Sequence, residues 1–385
     1  MADSIPLARP ELAGREEELV LEVLRSGRLS LGPKLERFER DFASWLGSDD
    51  AVAVSSGTAG LHLAVRALGW GEGDEVLTTP LSFVASSNCL LYEGARPVFC
   101  DIDPVTLNID PEAARAAAGR RTAGLLPVHI FGYPADLLAL EAIADSLEVP
   151  ILEDACQALG AVDAEGRAIG TAGHAASFAF YANKQLTTGE GGMLVPAGEE
   201  MSERLRSERN QGRSPDMSEI DHVGIGFNYR MTDIQAAIGI AQVERLDELL
   251  ASRAEAAAAY TELLSQRLGA APAGEGDPER LVLPCADRGD EQRSWFVYTV
   301  QLPADADRDA VIEALAAEGV QSKAYLPCIH TMPPYRERFG YSGGEFPVAE
   351  AVAARSLALP FFSQMTEGQV DRACTALAGA LGSAS

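Results

Sequence analysis

Lys184 stands in the stretch NKQLTTGEGG, after the apolar run SFAFYA and before a glycine-rich turn. A lysine drawn out of water loses proton affinity and becomes a nucleophile suited to Schiff-base chemistry. Gly189, Gly191 and Gly192 permit tight backbone turns beside it. Taken alone, it could equally be a surface lysine that follows a strand. Asp154 lies 30 residues earlier and closes the apolar run VPILED. A carboxylate there can hold a proton on a heterocyclic nitrogen, or it can cap a helix. Gln157 follows three residues on, within reach of the same ligand. Glu153 and Asp154 could also bind a metal, but no histidine or second carboxylate cluster accompanies them.

Two further groups bind anions in principle. In AVAVSSGTAGLHLAV an apolar strand runs into Ser55, Ser56, Gly57 and Thr58, and a helix pattern starts at once. The free N–H groups of a helix start attract phosphate, although an ordinary capped turn has the same sequence. In GFNYRMTDIQAAIG, Asn228 and Arg230 precede a second helix start, where they could bind an anion or cap the helix. An anion turn, then a strand-end acid, then a lysine is the order expected in fold type I pyridoxal-phosphate enzymes. There the lysine forms the Schiff base and the acid keeps the ring nitrogen protonated.

The elements that must position these groups read as follows. From about residue 50 to 200, short apolar runs alternate with helical stretches, from AVAVSS to GGMLVP. Strands apolar on both faces and separated by helices imply a mostly parallel sheet covered on both sides. Functional groups then collect at the strands' carboxyl ends. Residues 231–268 read as one long helical region capped by Thr232 or Asp233. A strand pattern in SWFVYTVQL, a helix over DRDAVIEALAAEG and a closing helix imply a smaller α+β part. The expected division is a large cofactor-binding α/β domain over 1–250 and a small domain over 251–385.

Composition bounds the function. The chain has 385 residues, with 31 basic and 57 acidic side chains and a net charge of −26. No basic stripe appears, which argues against nucleic-acid binding. No signal peptide or apolar span long enough for a membrane is recognisable. The six cysteines show neither CxxC nor Cys–His metal spacing, so reduced thiols in a cytoplasmic protein are expected and no metal site is.

Together these motifs are similar to those of the DegT/StrS-type pyridoxal-phosphate aminotransferases. The likeness runs from IPLARPELAGREEELV through SSGTAGLHLAV, EDACQALGA, NKQLTTGEGGML and GFNYRMTDIQAAIG to FPVAEAVAARSLALPFF. The resemblance implies pyridoxal 5′-phosphate on Lys184, with Asp154 at the pyridinium and Gln157 near the ring hydroxyl. It implies a phosphate turn of Gly57, Thr58 and Ala59, and Phe83 stacked on the ring. Asn228 would reach the phosphate across the interface of a homodimer with shared active sites. Ser30, Tyr181, Arg230 and His330 would lie near the substrate. The chain departs from the family where many relatives carry a phosphate-binding serine, because Ala179 stands there. Ser177 lies on the same side of the strand, and Tyr181 occupies a position where histidine is frequent.

The implied activity is ping-pong transamination from L-glutamate, through pyridoxamine phosphate, to a nucleotide-linked keto-deoxysugar. Keto-cyclitols are an alternative acceptor, and a non-catalytic regulatory protein is an alternative of another class. Retention of Lys184 and Asp154 speaks against the latter, and Lys184 against a dehydratase. An anionic substrate needs a local positive pocket in so acidic a chain, and Arg213, Arg230 and Lys323 are its candidates.

Overall fold

The computed structural model describes residues 4–214 and 221–382. Its larger sheet contains β1 (Val52–Val54), β2 (Glu75–Thr78), β3 (Arg96–Phe99), β4 (Thr122–Leu126), β5 (Leu152–Asp154), β6 (Ala175–Ala179) and β7 (Gly192–Pro196). The strands form two hydrogen-bonded blocks, β3-β2-β4 and β5-β6-β7-β1. Parallel bridges Leu125–Ile151 and Val128–Asp154 join the blocks between β4 and β5. The pairs β2–β3, β2–β4 and β5–β6 are parallel, while β7 runs antiparallel to β6 and β1. β1, β5 and β7 are buried along their whole length, as a sheet covered on both faces requires.

This topology gathers one edge. β1, β5 and β6 end there, and β7 begins there because it is reversed. Gly192 pairs with both Val54 and Ala179, and Asp154 pairs with Ser177. The anion turn, the strand-end acid and the lysine loop therefore leave the sheet side by side.

The helical region over 231–268 is two helices, Asp233–Glu244 and Leu246–Leu268, and not one. Arg245 breaks the run with φ −130° and ψ 20°. Its guanidinium is drawn to Glu11 and Glu16 of the N-terminal segment, and such long-range ion pairs leave no trace in hydrophobic periodicity. Thr232 does cap the first helix, in a reciprocal box with Gln235. The second helix starts in the core of the large sheet at Leu246 and ends in another core around Tyr260 and Leu264.

That other core backs a second sheet of β8 (Ala271–Pro272), β9 (Val282–Leu283), β10 (Tyr298–Gln301), β11 (Lys323–Ala324) and β12 (Ser356–Leu359), in the order β11-β12-β10-β9-β8. Helices Arg308–Ala317 and Glu367–Gly382 cover it, and Ile5 from the N-terminus packs into the same core. All six cysteines are free thiols, and five of them are buried. Among the described residues no helix is long and apolar enough to cross a membrane.

Candidate active site

The anion turn is built by close packing. A β-carbon on Gly57 would come within 2.6 Å of the Ala179 β-carbon, and one on Gly192 within 2.7 Å of the Ser56 carbonyl. Only glycine lets the turn sit this close to β6 and β7. The helix starts at Gly57 behind Ser56, whose hydroxyl accepts the Ala59 N–H at 3.1 Å. Ala59, expected to donate to a phosphate, is thus already engaged. The N–H groups of Gly57 and Thr58 are the orphan donors of this helix start. Ser177 is fully buried one layer below and donates to the Gly57 carbonyl at 3.3 Å. It supports the turn from behind and does not line its open side. Ala179 is the part-exposed β6 residue beside the turn.

Asp154 ends β5 and is buried. Its Oδ2 accepts the Ser86 hydroxyl at 2.6 Å and its Oδ1 accepts the Cys156 N–H at 3.1 Å. The two donors fix the orientation of the carboxyl group. Ser86 begins a turn after Phe83, whose carbonyl accepts the Ser86 N–H. Phe83 itself is 60% exposed beside this acid. Sequence reading missed Ser86, since nothing local aims its hydroxyl at a strand 68 residues away.

Glu153 belongs elsewhere. It points to the opposite side of β5, where it accepts the N–H groups of Gly170, Ala172 and Gly173 and faces His129 at 3.1 Å. The Ala135 N–H donates to His129 Nδ1, so Nε2 carries the proton that Glu153 accepts. These donors hold the fully buried Glu153 carboxyl below its usual range despite burial.

Gln157 is buried, and its amide oxygen accepts the Phe131 N–H at 2.9 Å. That bond fixes which end of the amide is which. Gln185 donates to the Gln157 main-chain carbonyl and so ties the lysine loop to the same turn.

Lys184 sits on a loop clasped at its base. The Phe180 N–H donates to Gly191, and the Thr188 N–H donates back to Phe180. The lysine amine lies 3.9 Å from the centre of the Phe296 ring. Burial lowers its pKa to about 8, against the opposing pull of Cys156 and Asp154; Arg253 lowers it further. Cys156 lines this space too. Burial first, then Asp154, push its thiol up, which leaves it protonated and unreactive at neutral pH.

The remaining candidates divide by position. Arg230 bridges Val54, and Ser30 bridges Thr232, so both reach the same sheet edge. The Arg230 guanidinium donates to Asn210 at 3.1 Å; burial, with Arg213 nearby, lowers its pKa. Asn228 is exposed and bridges Asn210 through the backbone. Tyr181 is exposed at the lysine loop. Lys323 is exposed on β11 in the second sheet. His330 is fully buried among Phe99, Tyr341 and Phe346, with Nε2 on Glu350 at 3.0 Å. His330, Glu345 and Glu350 stand at metal-ligand spacing, but backbone N–H groups of Ser342, Gly343, Gly344 and Phe346 already use both carboxylates.

The arrangement offers a near-neutral amine, a hydrogen-bonded carboxylate, an oriented amide and two open N–H donors on one edge. The model of the DegT/DnrJ/EryC1/StrS aminotransferase family matches residues 10–378. The chain belongs to this family. Like the DegT-family enzymes it resembles, it is a pyridoxal-phosphate-dependent aminotransferase of fold type I. It is 37% identical to the spore coat polysaccharide biosynthesis protein SpsC of Bacillus subtilis, over 95% of this chain and 94% of that one. It is also 37% identical to a GDP-perosamine synthase of Caulobacter vibrioides, over 97% of each chain. Among solved structures, DesV of S. venezuelae superposes with a TM-score of 0.89 at 34% identity, over 98% of both chains.

Proposed function

We propose that this DegT-family aminotransferase moves an amino group from L-glutamate to a nucleotide-linked keto-deoxysugar. The observation that carries the acceptor is the likeness to the GDP-perosamine synthase over nearly the whole chain. The neighbouring Arg213 and Arg230 support it, as a local positive site at the sheet edge of a chain with net charge −26. Among the described residues the Arg230 guanidinium donates to Asn210 and has no carboxylate within ion-pair distance.

The residues fit the cofactor. Gln157 spends its oxygen on Phe131, which leaves its NH₂ to donate to the ring hydroxyl. Asp154 would hold the ring nitrogen protonated, and hydrogen bonds from Ser86 and Cys156 fix its two oxygens for that contact. Gly57 and Thr58, at the positive end of a helix, would donate to the phosphate. Phe83, 60% exposed, would be the residue to cover a ring face. When bound, pyridoxal phosphate supplies the carbonyl carbon that carries the amino group and the ring that takes up the electron pair.

Lys184 is the proton carrier. A pKa of about 8 in place of 10.5 gives roughly 300 times more free amine at neutral pH. The amine takes the proton from the donor carbon and returns it one atom away, as base and then acid. Asn228 of the partner subunit completes the phosphate site, which makes the homodimer the active unit.

The test is the visible spectrum of the loaded protein before and after L-glutamate. A band that bleaches supports the donor half of this reading, and turnover of nucleotide-linked keto-sugars supports the acceptor half. Bleaching followed by turnover of keto-cyclitols alone would replace the acceptor. A band indifferent to glutamate and responsive to another amino acid would replace the donor.

A further inference from the structure

Arg253 lies on helix Leu246–Leu268, at the point where that helix passes from one core to the other. It is only 3% exposed. Among the described residues it has no carboxylate within ion-pair distance, in a chain with 57 of them. The one acid that influences it, Glu11, is committed to Arg245 and Gln364. Burial brings its pKa down to about 10. Buried arginines are nearly always paired, because an uncompensated charge away from water is costly. A cost of this kind without an ion-pair partner calls for another use of the charge.

The contacts of Arg253 close a triangle around the lysine. One guanidinium nitrogen donates to the Lys184 carbonyl and another to the Phe296 carbonyl, each at 3.2 Å. The Phe296 ring, in turn, lies under the Lys184 amine. The lysine is thus held at its main chain by Arg253 and at its tip by a ring that Arg253 also anchors. The charged and titratable groups that act on the amine are Asp154, Cys156 and Arg253. An aromatic face favours the ammonium form, as does Asp154, while the Cys156 thiol carries no charge at neutral pH. Among the described residues, Arg253 is the charged neighbour that opposes the ammonium form.

We propose that Arg253 is a positioning residue for Lys184: it fixes the lysine's main chain and supplies an unpaired positive charge that disfavours a second positive charge on the amine. The proposal rests on the reading of Lys184 as the cofactor lysine, but its test does not need the cofactor. In apoprotein, the rate at which trinitrobenzenesulfonate labels Lys184 is measured against pH, with the site identified by peptide mass spectrometry. Arg253→Met should move the half-point of labelling up by roughly one pH unit, while Arg253→Lys, which keeps the charge, stays near the parent. Arg253→Gln keeps a donor for a carbonyl, drops the charge and should move with Arg253→Met, which covers the case that the methionine variant folds poorly. A half-point unchanged in the two neutral variants would overturn the proposal and leave Arg253 as a peg between two cores. Protection of Lys184 by pyridoxal phosphate in the parent is scored separately; its failure would sink the cofactor-lysine reading and leave the apoprotein comparison intact.

Discussion

The amide oxygen of Gln157 is held by the main-chain N–H of Phe131 at 2.9 Å, across 26 residues of sequence. Phe131 adopts φ 54°, an uncommon conformation for a bulky side chain, and Gly132 follows it with φ 86°. The turn is shaped to offer that N–H. Gln157→Glu keeps an acceptor for Phe131 and removes the outward donor. Cofactor affinity, measured by absorbance titration, should fall about tenfold.

Ser86 gives a sharper test of the acid. Ser86→Ala removes a charge-assisted hydrogen bond from Asp154 and leaves the one from Cys156. The rate of the glutamate half-reaction should drop about tenfold in stopped-flow spectra, and Ser86→Thr should retain most of it.

Ala179 faces the anion turn closely enough for its β-carbon to limit residue 57 to glycine. Ala179→Ser would add a hydroxyl there. Retention of cofactor during dialysis should improve by about three- to tenfold, the worth of one hydrogen bond. Ser177→Ala, behind the turn, should instead lower the melting temperature with a smaller effect on retention.

Lys184 should make the apoprotein's stability depend on pH. Folding lowers its pKa from 10.5 to about 8. Below pH 8 both states carry the proton and the full burial penalty is present. Between about 8 and 10.5 the unfolded chain binds more protons, so stability rises with pH. Lys184→Met should lack that rise and be more stable at pH 7 by about 1–3 kcal/mol, measured by denaturant titration of both apoproteins.

If Asn228 serves the partner's site, two inactive variants should rescue each other. Lys184→Ala and Asn228→Ala, unfolded and refolded together, should regain about a quarter of parental activity through hybrid dimers with one intact site. No recovery would place Asn228 outside the shared site.

The parts of the site legible in sequence were those where local pattern and chemistry coincide. Lys184 follows a buried strand directly, and the Ser55–Thr58 turn joins a strand to a helix, so neighbours in sequence stay neighbours in space. Asp154 was legible as a strand end, but its separation from Glu153 was not. Strand periodicity puts the two on opposite sides without saying which side is the site; His129 and the loop over 170–173 decide that, and they arrive by folding. Ser86, Phe296 and Arg253 reach Asp154 and Lys184 from 68, 112 and 69 positions away. The helix break at Arg245 hid for the same reason: its cause is two glutamates at the other end of the chain. His330, which the resemblance sets near the substrate, lies within an aromatic cluster that its local sequence does not announce.

The clasp between Phe180 and Gly191 separates two kinds of wear. An enzyme that forms and breaks a bond to one side chain in every cycle disturbs that side chain continually. Here the disturbance is confined to a short loop whose two ends are fastened to each other before they meet the sheet. β6 and β7 continue as an unbroken pair beyond the fastening. If Lys184 is the side chain that swings, its motion loads this hinge, while the strands that place its neighbours keep their register.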